Sequence, residues 1–478
     1  MTLPSAPLSA SLAFGLCVLL ATFVQCGNGR ATPQDPAPAL VVPKDELRLL
    51  ISGSMQGHLE PCGCASGQLG GLARRLQHIG EQRNYDLLLE GGDLVDGNTE
   101  LDVQKLFTTT QVLFGEHPYD ALGVGPQDLL LPRAEWSAFL AGAPVLTTNL
   151  SCADPEWPGK PFVEKAVRGM TVRVASLLLQ LPAELDQPDG AVQRTDPAKA
   201  WAQAFTDAAP ATLRVLLAHG DDTTIRALIP ALLPTPDLVV GIDRDYIEPS
   251  SAPQMIGTVP LLFAGIRGRV LLDVRLSRET AAPRATCELV PLAASKTLPG
   301  GGGDPTVKDM LLQHRLQVAK DEIRERLARQ QPTPNGAAYV GNAQCRVCHE
   351  TAFAGWQKSK HAVAWQTLVD AEKDQKRYGW PVTHYPDCVG CHTVGYRQQT
   401  GFVSPAVTPE LLDVGCENCH GPGSVHVDMG GESKLGLIGG VTPSMLCVQC
   451  HDFEQSPTFL YSDFWPKIEH GREPDQRK

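Results

Sequence analysis

Four times between residues 345 and 451 the chain reads Cys-x-x-Cys-His: CRVCH (345–349), CVGCH (388–392), CENCH (416–420) and CVQCH (447–451). This is the spacing of covalent c-type haem attachment. Two thiols so placed reach the two vinyl groups of one porphyrin, and the histidine that follows is held beneath the iron. Cys345, Cys348, Cys388, Cys391, Cys416, Cys419, Cys447 and Cys450 are therefore the expected thioether positions. His349, His392, His420 and His451 are the expected proximal ligands. Structural zinc also uses Cys-x-x-Cys pairs, but it needs no histidine after each pair, and four zinc knuckles would leave histidines in excess. Four c-type haems are the expected cofactors.

The same stretch limits what its core can be. Beyond the proximal ligands it holds four more histidines, His361, His384, His426 and His470, one for each expected iron. Bis-histidine ligation throughout is the expectation, with an ordinary surface histidine as the alternative for each. Spacing does not assign a histidine to an iron. Residues 336–478 must enclose four porphyrins, so haem supplies much of the interior and the region is not expected to fold without it. Six-coordinate irons transfer electrons only, whereas one missing distal ligand would leave an iron open to a substrate.

A chain of 478 residues is too long for one ordinary core. Eight of its fourteen cysteines crowd into the motifs; Cys17, Cys26, Cys62, Cys64, Cys152 and Cys287 scatter before them. Net charge is −12 with no long basic run, which excludes nucleic acid as the main partner. The first 29 residues carry no Asp, Glu, Lys or Arg, and 8–24 is almost wholly apolar. Residues 1–26 read as an export signal, a lipoprotein signal ending at Cys26, or an uncleaved anchor. Residues 27–44, rich in Pro and Ala, read as a tether. Each reading puts the folded chain in the periplasm or on the outer membrane face, touching membrane only through that anchor or lipid. That is the compartment where c-type haem is attached.

Between 45 and 295 the pattern is α/β. Apolar runs such as LRLLIS, DLLLEGGD, LRVLLAHG and DLVVGID end in Gly, Asp or His and alternate with helix-compatible stretches. Such layered folds gather ligands beyond their strand tips. TLPGGGG (297–303) ends the region. Asp304 and Pro305 then start a connecting helix over 304–331, with Leu312, Leu316, Ala319, Ile323 and Leu327 on its apolar face and a Glu322–Arg326 pair.

Two resemblances follow. SKHAVAW (359–365), PDCVGCHTVGY (386–396), CENCHGPGSVH (416–426) and IEHG (468–471), with their motifs, resemble the multihaem cytochrome c family typified by the tetrahaem carrier of hydroxylamine oxidation. This resemblance implies a mainly α, loop-rich fold with stacked haem pairs, and distal roles for His361, His426, His384 and His470. It also allows one five-coordinate iron. The strand tips of 45–295 resemble those of calcineurin-like metallophosphoesterases, most closely the 5'-nucleotidase branch, which implies a β-sandwich with flanking helices around two metals. The tips depart from that pattern. Ser54 and Gln56 replace an acid and a histidine, Pro126 and Gln127 replace Asn and His, and Asp243 and Asp245 replace two histidines. Asp93 and His219 remain. A scaffold without hydrolytic chemistry is the first expectation, and a remodelled divalent-metal site of Asp93, His219, Asp243 and Asp245 the second. Cys62 and Cys64 suggest a disulfide, between themselves or with Cys152 or Cys287.

The expected protein is an exported electron carrier, exchanging electrons with redox partner proteins, with the α/β region as docking or ligand-binding scaffold. The alternatives are a cytochrome-fused hydrolase of phosphate or sulfur oxyanion esters, and a multihaem reductase with one open iron.

Overall fold

Why the strand runs lack polar alternation is explained by their surroundings: every strand near the centre is covered on both faces. The structure, a computed structural model, describes residues 45–61, 67–82, 84–185, 192–210, 212–277, 284–298, 301–374, 378–437 and 443–470. The expected signal and tether, and Cys62 and Cys64, lie outside the described residues.

The strands in chain order are β1 (Glu46–Ser52), β2 (Leu87–Glu90), β3 (Ala121–Leu122), β4 (Leu150–Cys152), β5 (Val163–Val167) and β6 (Met170–Leu178). They continue with β7 (Val192–Arg194), β8 (Leu213–His219), β9 (Leu238–Ile242), β10 (Gln254–Ile256), β11 (Val259–Phe263), β12 (Val270–Ser277) and β13 (Arg284–Pro291). One sheet runs β13-β12-β1-β2-β3 and a second runs β10-β11-β9-β8-β6-β5; β4 and β7 pair apart. Parallel pairing joins β1, β2 and β3 in the first sheet and β6, β8, β9 and β11 in the second, with antiparallel strands at the edges.

Side-chain alternation divides each strand between two cores. Leu47, Leu49 and Ile51 of β1 meet Val172, Val174, Leu213, Val215, Leu217, Leu238 and Val240 of the other sheet, which makes a sandwich. Leu50 and Leu88 point the other way, onto the helices Leu72–Glu81, Glu100–Leu113 and Pro305–Lys320. The far face of the second sheet is closed by Trp201, Ala204 and Ile225 from two further helices. The order is helix, sheet, sheet, helix.

The connecting helix departs from expectation in its length and at Leu316, while Ile323 and Leu327 are buried and Leu312 packs on a core as expected. Asp304 caps it as expected, its Oδ1 accepting the Val307 N–H at 2.9 Å. Its buried side chains are Val307, Leu311, His314 and Val318, whereas Leu316 is exposed. It stops at Lys320 because Glu322 adopts the left-handed conformation (φ 53°), and a second short helix, Ile323–Leu327, follows. Glu322 is thereby turned out of register, and Arg326 pairs with Glu100 at 2.7 Å instead.

From 337 to 470 the named elements among the described residues are short helices and 3-10 turns. A small aromatic and aliphatic cluster built on Trp365, Trp380, Val389 and Phe402 is their own core. His361 sits between two helices: Glu350–Trp356 and Ala364–Lys373 flank the 3-10 turn, Lys360–Val363, that carries it. Cys152 and Cys287 are free thiols, and the cysteines expected to bridge, Cys62 and Cys64, lie outside the described residues.

The described residues form one compact unit, in which the α/β region grips two of the four motifs. Lys105 Nζ reaches Asp387 Oδ2 at 2.7 Å, one residue before Cys388. Arg267 binds Asp452 and Glu454, both at 2.8 Å, just beyond His451. Phe453 lies under the guanidinium groups of Arg267 and Arg269, at 5.0 and 4.7 Å.

Candidate haem centres and the strand-tip site

A helical turn puts residues i, i+3 and i+4 on one face, which is how Cys-x-x-Cys-His presents both thiols and the imidazole together. The turn is present here. His349 N donates to Cys345 O at 2.9 Å and His451 N to Cys447 O at 2.8 Å, and the second and third motifs lie in the helices Pro386–His392 and Cys416–His420. The thiols of Cys345 and Cys416 interact, as do those of Cys391 and Cys450. The attachment sites are thus neighbours in two pairs, first with third and second with fourth.

Three proximal histidines face a second imidazole. His349 and His426 have ring centroids 6.2 Å apart, His361 and His451 6.0 Å, and His420 and His470 5.9 Å. Two metal–nitrogen bonds of about 2 Å each, with the ring radii added, span roughly 6 Å. Each gap therefore suits a single iron between two imidazoles. Tautomers agree. The Nδ1 of His426 lies 2.7 Å from the Ser433 carbonyl and that of His392 2.5 Å from the Ala364 carbonyl. A carbonyl only accepts, so Nδ1 carries the proton in both rings and Nε2 keeps its lone pair for a metal. His451 Nδ1 is similarly anchored, 2.9 Å from Ser456 Oγ. The donor set fits c-type haem.

His384 is placed elsewhere. Its Nδ1 is 3.2 Å from Thr383 Oγ1, and burial together with Arg324 lowers its pKa. Among the described residues neither His384 nor His392 stacks against another imidazole at the distance of the three pairs. The structure therefore brings together three of the four expected distal ligands with proximal ones, and leaves His392 without a facing ring.

The strand tips of the α/β region are differently occupied. Ser54, Gln56 and Asp93 all take left-handed backbone conformations (φ 51°, 51° and 54°), a strain of about 1–3 kcal/mol each for non-glycine residues. Asp93 is fully buried, and its Oδ1 lies 3.1 Å from Arg244 Nη1. Gln56 donates to Ser54 Oγ at 3.1 Å and to the Arg244 carbonyl at 2.8 Å, which ties the first tip to the loop after β9. Asp128 orders the second tip by accepting the N–H groups of Asp93, Leu94 and Gly125 at 2.7–2.9 Å. Burial raises the Asp93 carboxyl, with Arg244 pulling against it, and burial plus Asp93 raises Asp128. Burial pushes His219 down to about 4, so the imidazole is neutral at pH 7.

The remodelled metal site is not assembled. Asp243 accepts the N–H groups of Asp222 and Asp245 at 2.9 and 3.0 Å, Asp245 is exposed, and Asp93 is engaged by a guanidinium. Among the described residues no group of three or more His, Cys, Asp or Glu is placed to hold a metal ion. A fixed positive charge, Arg244, neutralises the carboxylate that a metal would. Arg244 stands between the two acids of GIDRD and is absent from the expected ligand set; an arginine flanked by two acids at a strand tip is its signal in the sequence.

Comparison with known proteins bears on the C-terminal region. Residues 344–421 match the family model described as cytochrome c554 and c-prime. Cytochrome c-554 of Nitrosomonas europaea is 39% identical over 93 residues, which are 18% of this chain and 40% of that protein. The chain thus spans well under half the length of that relative. Among solved structures, the sulfate thiohydrolase SoxB of Thermus thermophilus in complex with glycerol aligns with TM-score 0.45 and 16% identity, over 62% of this chain and 64% of that one. The 5'-nucleotidase precursor of Thermus thermophilus aligns with TM-score 0.45 and 18% identity, over 69% and 67%. Over residues 344–421, which span the first three attachment motifs, the chain is similar to the cytochrome c554 and c-prime family.

Proposed function

We propose that the chain is an electron-transfer protein with four covalently attached c-type haems, in which the α/β region is a scaffold without hydrolytic chemistry. The observation that carries this reading is the set of three facing imidazole pairs, each containing the histidine of a different motif. Bound c-type haem supplies a one-electron iron couple whose potential depends on ligands, hydrogen bonds and burial. The chain's part is to hold the rings. His349 with His426, His451 with His361 and His420 with His470 would each grip one iron from both sides. Carbonyl and hydroxyl anchors on Nδ1 fix the orientation of His392, His426 and His451. The paired attachment cysteines, 345 with 416 and 391 with 450, support closely packed porphyrins and hence electron passage between them. The uncharged N-terminal stretch supports export, where redox partner proteins would give and accept the electrons. Among the described residues no helix is long and apolar enough to cross a membrane.

The purified chain is expected to contain four covalent haems, reducible by dithionite and reoxidised reversibly, as counted by pyridine haemochrome absorbance against protein mass. A count below four, or zinc in place of iron, would overturn the reading.

His392 favours a refinement. With no imidazole opposite it among the described residues, its iron would be five-coordinate and accessible to a small ligand. For the α/β region, no turnover of p-nitrophenyl phosphate or 5'-AMP is expected with added Mn²⁺ or Zn²⁺. Metal-dependent release of phosphate would restore the hydrolase alternative.

A further inference from the structure

Lys105 is an unusual residue for its position. It sits on the helix Glu100–Leu113 of the α/β region with its side chain only 9% exposed, packed beside Gly57 in the first strand-tip loop. Lysine rarely occupies such a place unpaired. Its partner is Asp387, the residue before Cys388, on the helix Pro386–His392 that carries the second attachment motif. Burial opposes charge on Lys105 and Asp387 more than offsets it, so the ammonium stays protonated. The Asp387 side chain is about half exposed (48%); what burial it has works against its carboxylate, and Lys105 outweighs it, holding the carboxyl below its usual range.

Several other groups surround the pair: Arg315 acts on Cys388 ahead of Lys105, and His58 acts on Asp387. His314, from the connecting helix, bridges Thr108 Oγ1 at 3.1 Å and Tyr385 OH at 3.2 Å. Burial, then Lys105 and Arg315, pushes it down to about 3, so it contributes no charge. Arg315 is paired with Glu60 at 3.0 Å and lies over the Trp380 ring at 4.5 Å. Arg397 approaches Asp387 only to 3.9 Å. Among the described residues, Lys105 is the buried cation that the α/β region extends to the attachment helix.

We infer that Lys105 is a potential-setting residue for the haem attached at Cys388 and Cys391, so that the α/β region fixes the potential of one centre relative to the other three. The inference rests on the four-haem reading above. Reduction adds one electron to the iron, and a positive charge held nearby at low dielectric favours the reduced form while a negative one opposes it. Removing Lys105 must lower that potential, and removing the Asp387 charge must raise it. A residue that only packed the interface would produce neither sign.

The test is a potentiometric titration of the full-length holoprotein at pH 8, where Asp387 stays ionised, followed by visible absorbance and EPR. Haems are counted first. In K105M one midpoint is expected to fall, with the reduced-to-oxidised ratio of that haem about tenfold lower at fixed potential, or about 59 mV for one electron. In D387N the same midpoint should rise, and in K105R it should stay near wild type. D387N leaves the lysine stem in place and carries the test alone if K105M fails to load haem. Four haems with no midpoint moved in either charge variant, or all four midpoints moving together, would overturn the inference. A wild-type count below four would instead overturn the reading beneath it.

Discussion

His426→Ala is expected to convert one low-spin haem into a high-spin one, while His384→Ala leaves the spectrum unchanged. Both histidines stood equal on sequence grounds, as spare imidazoles in a region with four attachment motifs. Geometry separates them. His426 faces His349 across 6.2 Å with rings 17° apart, the distance and attitude of two ligands on one iron. Its Nδ1 is committed to the Ser433 carbonyl, so no rotation or tautomer change is needed for binding. His384 is hydrogen-bonded to Thr383 and surrounded by Arg324, Glu325 and Glu372. Removing it takes away nothing that faces a proximal ring. The same experiment on His361 and His470 should each raise a further high-spin signal, from the centres of His451 and His420. The oxidised wild type should already show one, from the iron held by His392. EPR of the ferric holoprotein, with haem counted in each variant, reads all of these. A new high-spin signal in His384→Ala would sink the pairing.

Arg75→Met should destabilise the α/β region by about 3–5 kcal/mol, the range for breaking a buried ion pair by removing one partner. Arg75 is 1% exposed, and its Nη1 lies 2.7 Å from Glu90 Oε2, itself wholly buried on β2. The same guanidinium donates to Ser52 Oγ at 3.1 Å, and Ser52 donates to Glu90 at 2.6 Å. Methionine fills much the same volume but leaves the Glu90 carboxylate without its charge partner in an apolar interior. The lost Coulomb attraction is then not recovered from water. Arg75→Met/Glu90→Gln should return most of the loss, because no bare charge remains. Calorimetry of the holoproteins measures both; a single-variant loss under about 1 kcal/mol would show that the pair is not isolated from solvent.

The parts of this molecule that could be read in advance are those with a repeat or a period. Cys-x-x-Cys-His carries its chemistry in consecutive residues, and strand runs such as LRLLIS and DLVVGID need only burial on both faces to be recognised. What could not be read is what depends on partners distant in the chain. Nothing in the spacing of His361 and His384 says that one turns towards His451 and the other towards the Ile323–Leu327 helix. Lys105 sits on a helix where a lysine reads as surface, and its burial becomes visible only once Asp387, far along the chain, is beside it. Arg244 gives no periodic signal at all, yet its guanidinium engages Asp93, one of the two ligand positions that remain. The early stop of the connecting helix at Glu322 escaped helical periodicity because a single left-handed residue leaves the apolar spacing nearly intact.

The imidazole pairs have an order in time as well as in space. With an iron in each, they close three loops, 349 to 426, 361 to 451 and 420 to 470, and each loop overlaps the next without enclosing it. A chain made from its N-terminus first would complete them in that sequence, the last only when residue 470 emerges. Interlocked loops cannot be cut into smaller pieces that mature alone. A chain ending before His470 would spoil the third motif's centre, some fifty residues upstream, rather than the one nearest the break.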